Sequence, residues 1–523
     1  MKIKTALVVQ VVALIFGLAL MGCSSEAVVP SGADTEPTQE PTTDDVDPDG
    51  TTEPTPDDSQ DASDADADLD PDVEDPDASD GSDDLEDPDT TDTTDTTDNT
   101  DNTDEDEDIF EPDSWLAPGE QDENAFAWGV QISDAASDSA MLSVRTTEPA
   151  VDIRVLMYKN GNWADTLVAD DQPVVDSVFQ MELTDLTPDS LYFVAVYSAD
   201  QTRRARVTRF RSALAPEGSR VVRFGATSCL GGQNRPFPTL SRAAQENLDF
   251  FLMAGDTVYA DSSLTFGSYR GAWEDALSQQ GLKDLFASTS VIATWDDHEV
   301  TNNWSWEDFL IEDRFAWARE AWSESIPWRE GPGGTGIWRR LNWGKVVDVL
   351  VMDTRGERYD GDYISTAQMD WLKAWLLESE AKFKVILHGV PITDMDGIYG
   401  PISEDDRWDG YQHQRSEILE HITDNDVQGV LWVSGDFHFS ALTKVDKSGG
   451  PGADQYEVFA GPGGSFVNPI VYIAQENDQY KHIFKTYTYT YFEADPDAGT
   501  MRIKFINDNG SILTDDTLQL VAP

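Results

Sequence analysis

Cysteine is nearly absent from this chain of 523 residues, which contains only Cys23 and Cys229. If Cys23 carries a lipid, as argued below, Cys229 has no disulfide partner, and a stabilising disulfide is excluded. An unpaired thiol in an exported protein is exposed to oxidation and mispairing. Cys229 is therefore either buried and inert or part of a reactive site.

Basic residues are missing from a long stretch of the chain, since no lysine or arginine lies between Lys4 and Arg145. The formal net charge is −65, and the remainder of the chain is acidic as well. Such a charge makes nucleic acid an unsuitable partner. Affinity for a phosphorylated ligand must then come from a local cationic site, such as a bound metal.

Residues 24–113 consist mainly of Asp, Thr, Pro, Glu and Ser. Such a segment cannot bury enough apolar surface to offset its ordering entropy, and its charges repel, so we predict a disordered acidic tether. Its "TTDTTDTTDNTDNTD" repeat lacks the glycine and the terminal glutamate of a calcium loop. A solvated spacer is the preferred interpretation.

Residues 1–23 have the pattern of an export signal: Lys2 and Lys4, an apolar run, and then "LMGC". The last four residues resemble the bacterial lipoprotein signal, which predicts lipidation of Cys23. An ordinary cleaved signal is the alternative. We expect an exported protein anchored at the bacterial cell envelope, on the outer or cytoplasmic membrane, facing the periplasm or the surface. The lipid would be its only contact with a membrane.

Residues 118–214 show short alternating runs such as "AMLSVRTT" and "LYFVAVYSA", separated by turn signals. This spacing predicts an all-β sandwich. Leu186, Pro188 and Tyr192 in "LTDLTPDSLYFVAVYS" resemble the corner of fibronectin type III-like domains. A core position for Tyr192 predicts the same sandwich.

Residues 218–523 alternate apolar strands with helical patterns, which predicts an α/β domain with largely parallel central strands. In such folds, ligands bind beyond the carboxyl ends of the strands. Polar residues follow five of the predicted strands at those positions: Cys229, Asp256, Asp297, His388 and Asp436.

The crowding of Asp296, Asp297 and His298 after the strand "VIAT" requires a physical reason, because neighbouring like charges disfavour each other. A solvated loop is one explanation. Five strand ends that each carry a metal-competent side chain favour another, in which the carboxylates share the charge of bound cations. The sequence therefore predicts a dinuclear metal site.

The segments "GDTVY", "WDDHEVTNN" and "GDFH" resemble the motifs of the calcineurin-like metallophosphatases. With "SC", "DTR", "AQMDWLKAWL" and "WDGYQHQR", they resemble the alkaline phosphatase D (PhoD) branch over about residues 220–438. This resemblance implies a four-layer α/β/β/α domain after the β-sandwich. It also implies a metal-dependent hydrolase that releases phosphate from phosphomonoesters, phosphodiesters or both.

The resemblance implies a ligand set and its metals, Fe³⁺ with Ca²⁺, while Mn²⁺ and Zn²⁺ are further candidates. The first site would use softer donors, and Asp256 would bridge both metals with its two oxygens. The second site would use Asp297, Asp436 and either Asn302 or Asn303, of which Asn303 is the predicted ligand. The softer donors are Cys229, Tyr259 and His438.

The resemblance also places His298 where it would contact phosphate or protonate the leaving group, with Asp296 orienting it or its neighbours. Asp256 and Asp297 join His298 as the catalytic set. His388 is either a second-site ligand or a hydrogen-bond donor to one. Arg355 and Arg415 would hold carboxylates, bind the departing phosphate or form structural ion pairs.

Two rival functions remain open at this point. One is a phosphodiesterase or phospholipase-type enzyme that acts on lipid or nucleotide diesters with the same ligands. The other is a catalytically silent surface-binding lipoprotein, against which the intact ligand set argues. The expected partner is a small phosphoester; no nucleic-acid scaffold is expected and no protein partner is inferred.

Overall fold

The computed structural model describes residues 119–522, apart from 160–161, 333, 335, 396–403 and 475–478. These residues belong to the second of two units in the chain, Asn102–Pro523. The predicted signal, the tether and Cys23 lie outside the described residues. In the described part of the chain, no helix is both long and apolar enough to cross a bilayer.

The described residues form 22 strands, most of them four to ten residues long. In chain order they are β1 (Glu120–Gln121), β2 (Val130–Ser133), β3 (Ala140–Arg145), β4 (Ala150–Lys159), β5 (Asn162–Pro173), β6 (Val178–Leu183), β7 (Leu191–Ser198), β8 (Arg203–Arg204), β9 (Thr208–Arg211), β10 (Val222–Thr227), β11 (Phe250–Ala254), β12 (Ser290–Thr294), β13 (Arg339–Trp343), β14 (Val347–Val351), β15 (Phe383–Leu387), β16 (Val430–Ser434), β17 (Ser440–Lys444), β18 (Tyr456–Phe459), β19 (Tyr480–Phe484), β20 (Thr488–Asp495), β21 (Thr500–Asn507) and β22 (Ile512–Gln519).

Helices connect the later strands. They are α1 (Pro238–Ala243), α2 (Phe266–Leu277), α3 (Gln280–Ser288), α4 (Ile311–Ser325), α5 (Thr366–Glu378), α6 (Gln412–Asp424) and α7 (Val471–Ala474). Two of them begin at polar caps: Thr265 forms a capping box with Ser268 at α2, and Ser365 accepts the Gln368 N–H at α5.

The strands make three sheets. The N-terminal sheet has the order β1-β8-β7-β4-β5, with β9 beside β7. The central sheet has the order β22-β21-β20-β10-β11-β12-β2-β3-β6, and β10, β11 and β12 run parallel. The third sheet has the order β13-β14-β15-β16-β18-β17-β19, and β14, β15, β16 and β18 run parallel.

Three apolar cores separate four layers in the later part of the chain. Phe250 and Leu252 of the central sheet pack with Val349 and Val385 of the third sheet in the middle core. The outer face of the central sheet is covered by α1–α4, and that of the third sheet by α5 and α6. The fully buried strands β11, β12, β14, β15 and β16 have the largely apolar sequences typical of parallel strands covered on both faces. The predicted α/β architecture is present.

The N-terminal strands do not form an isolated body. The N-terminal sheet packs on β2, β3 and β6, with Ile132, Val144 and Val194 among the buried side chains between them. However, β2 also pairs with β12 through Val291 and Ser133, so β2, β3 and β6 extend the central sheet. The expected boundary near residue 215 falls between β9 and β10, within a continuous packed structure.

Candidate metal centre

The carboxyl ends of β10, β11, β12 and β16 carry the predicted ligands. Cys229 follows β10, Asp256 follows β11, Asp297 follows β12 and Asp436 follows β16. The first three strands are parallel neighbours, so their carboxyl ends reach the same edge of the central sheet. The loop after β16 reaches this edge from the third sheet, because Gly435 passes against Ser228 and Ala254.

The ligand residues share an uncommon backbone conformation. The φ angles of Cys229, Asp256, Asp436 and His438 are 56°, 54°, 65° and 55°. Residues with a Cβ adopt this left-handed region at a cost of roughly 1–2 kcal/mol, and such residues cluster at functional sites. The backbone therefore turns sharply where each side chain enters the site.

In the described part of the chain, three groups of side chains have ligand atoms within 4.8 Å of one another. Asp256 belongs to the first two groups and Asp297 to the last two, so the groups overlap. The first group contains a thiol and an imidazole, whereas the third contains only carboxylates. The groups are Cys229–Asp256–His438, Asp256–Asp297–His298 and Asp296–Asp297–Asp436.

Tyr259 lies inside the first group. Its hydroxyl is 3.2 Å from Asp256 Oδ2, 2.9 Å from His438 Nε2 and 2.5 Å from Ser465 Oγ. Burial and the charge of Asp256 raise the pKa of Tyr259 well above its usual value. The phenol thus lies within reach of two members of the first group, and its role as a metal ligand stays a prediction.

His298 is oriented by a residue that the sequence analysis missed. Its Nδ1 is 2.8 Å from Asp261 Oδ1, and its ring stacks on Tyr259 with a centroid distance of 4.0 Å. Burial would lower the pKa of His298, but the charges of Asp297, Asp256 and Asp261 outweigh it and raise that pKa. The imidazole is therefore held at the second group in a negative environment.

Glu299 connects the two strand ends. Its carboxylate accepts the backbone N–H of Asp256 at 3.1 Å, of Thr257 at 2.6 Å and of Asp296 at 2.9 Å. Burial and the charge of Asp256 raise its pKa to about 8, although these N–H donors act in the opposite direction. One side chain thus sets the spacing between the turns after β11 and β12.

Arg355 is a buried counter-ion of the acidic side chains at the site. It donates through Nε to Asp296 and through Nη1 to Asp406, and its exposed fraction is 1%. Among the described residues, its Nη2 has no hydrogen-bond partner, and it lies 3.8 Å from Asp297 Oδ1. Carboxylate binding is one of the roles that the sequence left open for Arg355, and a contact with the departing phosphate stays a prediction.

Arg415 likewise forms a structural contact. It donates to the Ile392 carbonyl and to Asp446.

His388 does not join the candidate ligand groups of the described residues. Its Nε2 is 3.2 Å from Glu457 Oε1, and its ring packs edge-on against Trp432 in the outer core of the third sheet. Adjacent strand residues point to opposite faces, so the side chain after Leu387 turns away from the middle core. His388 therefore lies apart from the three ligand groups, and metal ligation by its side chain stays a prediction.

The two asparagines contact the site through their backbones. The Asn302 N–H donates to Asp261 Oδ1 at 2.6 Å, and the Asn303 N–H donates to Asp297 Oδ2 at 2.5 Å. The first bond holds Asp261, the partner of His298, and the second holds the carboxylate of Asp297. Ligation by the Asn303 side chain stays a prediction.

The buried charges fit bound cations. Asp256 Oδ1, Asp296 Oδ2 and Asp297 Oδ1 have no hydrogen-bond partner among the described residues. Burial raises the pKa of Asp296 and of Asp436 well above the usual range, and neighbouring carboxylates add to the effect. Buried, crowded carboxylates with oxygens that lack partners are costly unless a cation lies between them, so this donor set is suited to metal ions.

The thiol of Cys229 supports the same interpretation. Burial and then the charge of Asp256 raise its pKa well above the usual value when no cation is near. A coordinated metal reverses that effect, because it stabilises the thiolate.

Several residues of the site gave little signal in the sequence. Ser465 contacts Tyr259 from the glycine-rich "GPGGS" segment, 206 positions away. Asp406 binds Arg355 from a short 3-10 turn, Glu404–Asp406. Only Asp261 and Glu299 lie near recognised motifs, at the end of "GDTVYAD" and in "DDHE". Their acidic side chains next to a motif are the sequence signal that could have identified Asp261 and Glu299.

Comparison with known proteins identifies the family. The model of the PhoD-like phosphatase family matches residues 224–509, which is more than half of the chain. The chain therefore belongs to the PhoD-like phosphatase family, as its motifs predicted. Alkaline phosphatase D of Bacillus subtilis (strain 168) is 24% identical over 381 residues, which cover 60% of this chain. The match spans 64% of that relative's length.

Two solved structures share the fold. A structure of PhoD is 20% identical with a TM-score of 0.63, and covers 76% of this chain and 93% of its own. The purple acid phosphatase PPD1 from yellow lupin (Lupinus luteus) seeds is 14% identical with a TM-score of 0.55, and covers 75% of this chain and 74% of its own. The chain thus has the α/β fold of the metallophosphatases.

Proposed function

We propose that this chain is a metal-dependent hydrolase of phosphoric esters. The observation that carries the proposal is the set of three overlapping ligand groups, joined by Asp256 and Asp297, at the strand ends of a metallophosphatase fold. Membership of the PhoD-like phosphatase family supports the same activity. Phosphomonoesters, phosphodiesters or both are the substrates.

We assign Fe³⁺ to the softer group and Ca²⁺ to the oxygen-rich group. Cys229, Tyr259 and His438 offer thiolate, phenolate and imidazole, which suit a transition metal. Asp436 and Asp297 offer oxygen donors alone, which suit calcium. When bound, the metals supply the Lewis-acid charge that neutralises phosphoryl oxygens.

The protein groups position the substrate around this charge. Asp261 holds the His298 ring, so that its other nitrogen is available to contact a phosphoryl oxygen or the leaving group. Arg355 donates to Asp296 and neutralises its charge, which reduces the repulsion within the carboxylate cluster. Glu299 holds the backbone of Asp256 and Asp296, which fixes the distance between the two halves of the site.

The proposal is tested with the purified full chain, by elemental analysis of bound metal and by hydrolysis of p-nitrophenyl phosphate and bis-p-nitrophenyl phosphate. We expect iron and calcium near one equivalent or more, and Cys229→Ser should lose iron and at least about tenfold in activity. Cys23→Ser is the matched control and should keep both properties. A metal-free protein that stays inactive after iron and calcium are added would refute the proposal.

We also propose that the chain is exported and anchored at the bacterial cell envelope through a lipid on Cys23. The "LMGC" motif and the acidic segment 24–113 support this arrangement. For residues 118–214 we propose a fibronectin type III-like sandwich. In its support, the Tyr192 hydroxyl accepts the Thr187 N–H at 2.6 Å, as in a tyrosine corner.

A further inference from the structure

A surface cleft lies directly beside the candidate metal centre. Its volume is 470 Å³, which exceeds what a phosphate group alone requires, and Asn303 and Asp406 are among its lining residues. Asn303 donates its N–H to Asp297, and Asp406 binds Arg355, so the cleft and the carboxylate cluster share a wall. A group esterified to a phosphate at the metal centre would therefore enter this cleft.

Aromatic rings form one part of the lining. Trp306, Tyr359 and Tyr411 border the cleft, and Tyr359 is 67% exposed although its ring is large and partly apolar. Trp306 is fixed by Trp304 at a centroid distance of 5.2 Å, and Tyr411 by Tyr363 at 4.8 Å. Aromatic faces carry partial negative charge and attract cations that lie within about 6 Å.

The charged lining residues add to this negative potential. Glu307, Asp360 and Asp405 are exposed at the cleft, and their carboxylates have no ion-pair partner among the described residues.

Arg358 is the cation among the lining residues, but Asp406 already neutralises its charge. It donates to Asp406 at 3.0 Å and to the Trp304 carbonyl at 2.6 Å, and its side chain is only 9% exposed. The surface offered to a ligand is therefore aromatic and anionic.

We propose that this cleft binds the organic group of a phosphodiester substrate and selects a cationic group, an alkylammonium alcohol such as choline, over a neutral or anionic one. The inference rests on the proposed function, since it names the substrate class of that enzyme. The metal centre holds the phosphate away from the carboxylates of Glu307 and Asp360. The ammonium group of the substrate lies against these two carboxylates. A second phosphate in the cleft would be repelled by the same side chains.

The test compares two esters that differ in charge but not in shape. The full chain, loaded with iron and calcium, is assayed on p-nitrophenyl phosphorylcholine and on p-nitrophenyl 3,3-dimethylbutyl phosphate, in which carbon replaces the quaternary nitrogen. We expect kcat/KM to be about tenfold higher for the choline ester, mainly through KM. The double variant Glu307→Gln/Asp360→Asn and the variant Tyr359→Ala should each lose most of this preference.

Tyr472→Ala is the matched control, because Tyr472 is 65% exposed but does not line the cleft, and its preference should equal that of the wild type. Equal kcat/KM for the two esters would overturn the inference while leaving the proposed hydrolase intact. Retention of the preference in both cleft variants would also overturn it. Failure to hydrolyse these esters and p-nitrophenyl phosphate alike would refute the proposed function itself.

Discussion

At the residue scale, three side chains of the site depend on neighbours that hold them in place. Tyr259 is fixed by Ser465, His298 by Asp261, and Asp296 by Arg355. Supporting hydrogen bonds of this kind orient metal ligands and tune their basicity.

Glu299 supports the backbone on both sides of the site, because three backbone N–H groups from the turns after β11 and β12 donate to its buried carboxylate. In Glu299→Gln, an amide NH₂ replaces one oxygen and meets N–H donors that it cannot satisfy. We expect the free energy of unfolding to fall by roughly 1–3 kcal/mol and metal to be bound more weakly.

Urea unfolding and metal titration with a competing chelator measure these two effects. Glu320→Gln makes the same change at an exposed position of α4 and should alter neither quantity. Wild-type metal affinity in Glu299→Gln would show that the spacing of the strand ends does not depend on this carboxylate.

The sequence motifs predicted that the candidate ligands lie at strand ends, but they did not predict the surroundings of Arg355 and His388. Cys229, Asp256, Asp297 and Asp436 follow apolar runs, so their positions at strand ends are local properties. Which face His388 points to, and what surrounds Arg355, depend on side chains that are distant in sequence, namely Glu457 and Asp406. Such contacts leave no local pattern.

At the scale of the elements, the turns after the strands decide the geometry of the site. Gly255 has a φ of +87°, and a Cβ built on it would lie 2.6 Å from the Cβ of Asp296. The turns after β11 and β12 approach this closely because Gly255, at the point of contact, has no side chain.

Gly255→Ala should therefore disturb both the fold and the site. We expect a loss of roughly 2–4 kcal/mol in the free energy of unfolding, from left-handed strain and overpacking together, and reduced metal content. Gly271→Ala is the matched substitution in α2, where a new Cβ meets nothing within 4 Å. It should stabilise the protein by up to about 1 kcal/mol. Equal stability of the two variants in urea unfolding would contradict this account.

At the scale of the whole molecule, the N-terminal strands and the later α/β layers share one sheet. The change of sequence pattern near residue 215 predicted two domains. The secondary structure changes at the same place, since, of the residues that the structure describes, only strands precede it and helices alternate with strands after it. The pairing of β2 with β12 joins strands separated by more than 150 residues. A contact of that separation follows from packing and not from local pattern.

The proposed lipid anchor yields a prediction for the whole chain. Cys23→Ser removes the acyl-bearing thiol, and partition into the detergent phase of Triton X-114 should fall from nearly complete to nearly none, because the acyl chains supply the membrane affinity. Cys229→Ser is the control, since Cys229 is buried and should leave the partition unchanged. Detergent partition of Cys23→Ser equal to that of the wild type would refute the anchor.

The sequence by itself determined the alternation of strands and helices, the acidic segment, the motif residues and through them the family. These properties depend on hydrophobic periodicity and on short spacings, which are local. Only the tertiary structure decided that three ligand groups overlap at Asp256 and Asp297, that Arg355 is enclosed and that an anionic aromatic cleft adjoins them. The order of strands in the two sheets brings these residues together, and that order is set by packing between segments far apart in the chain.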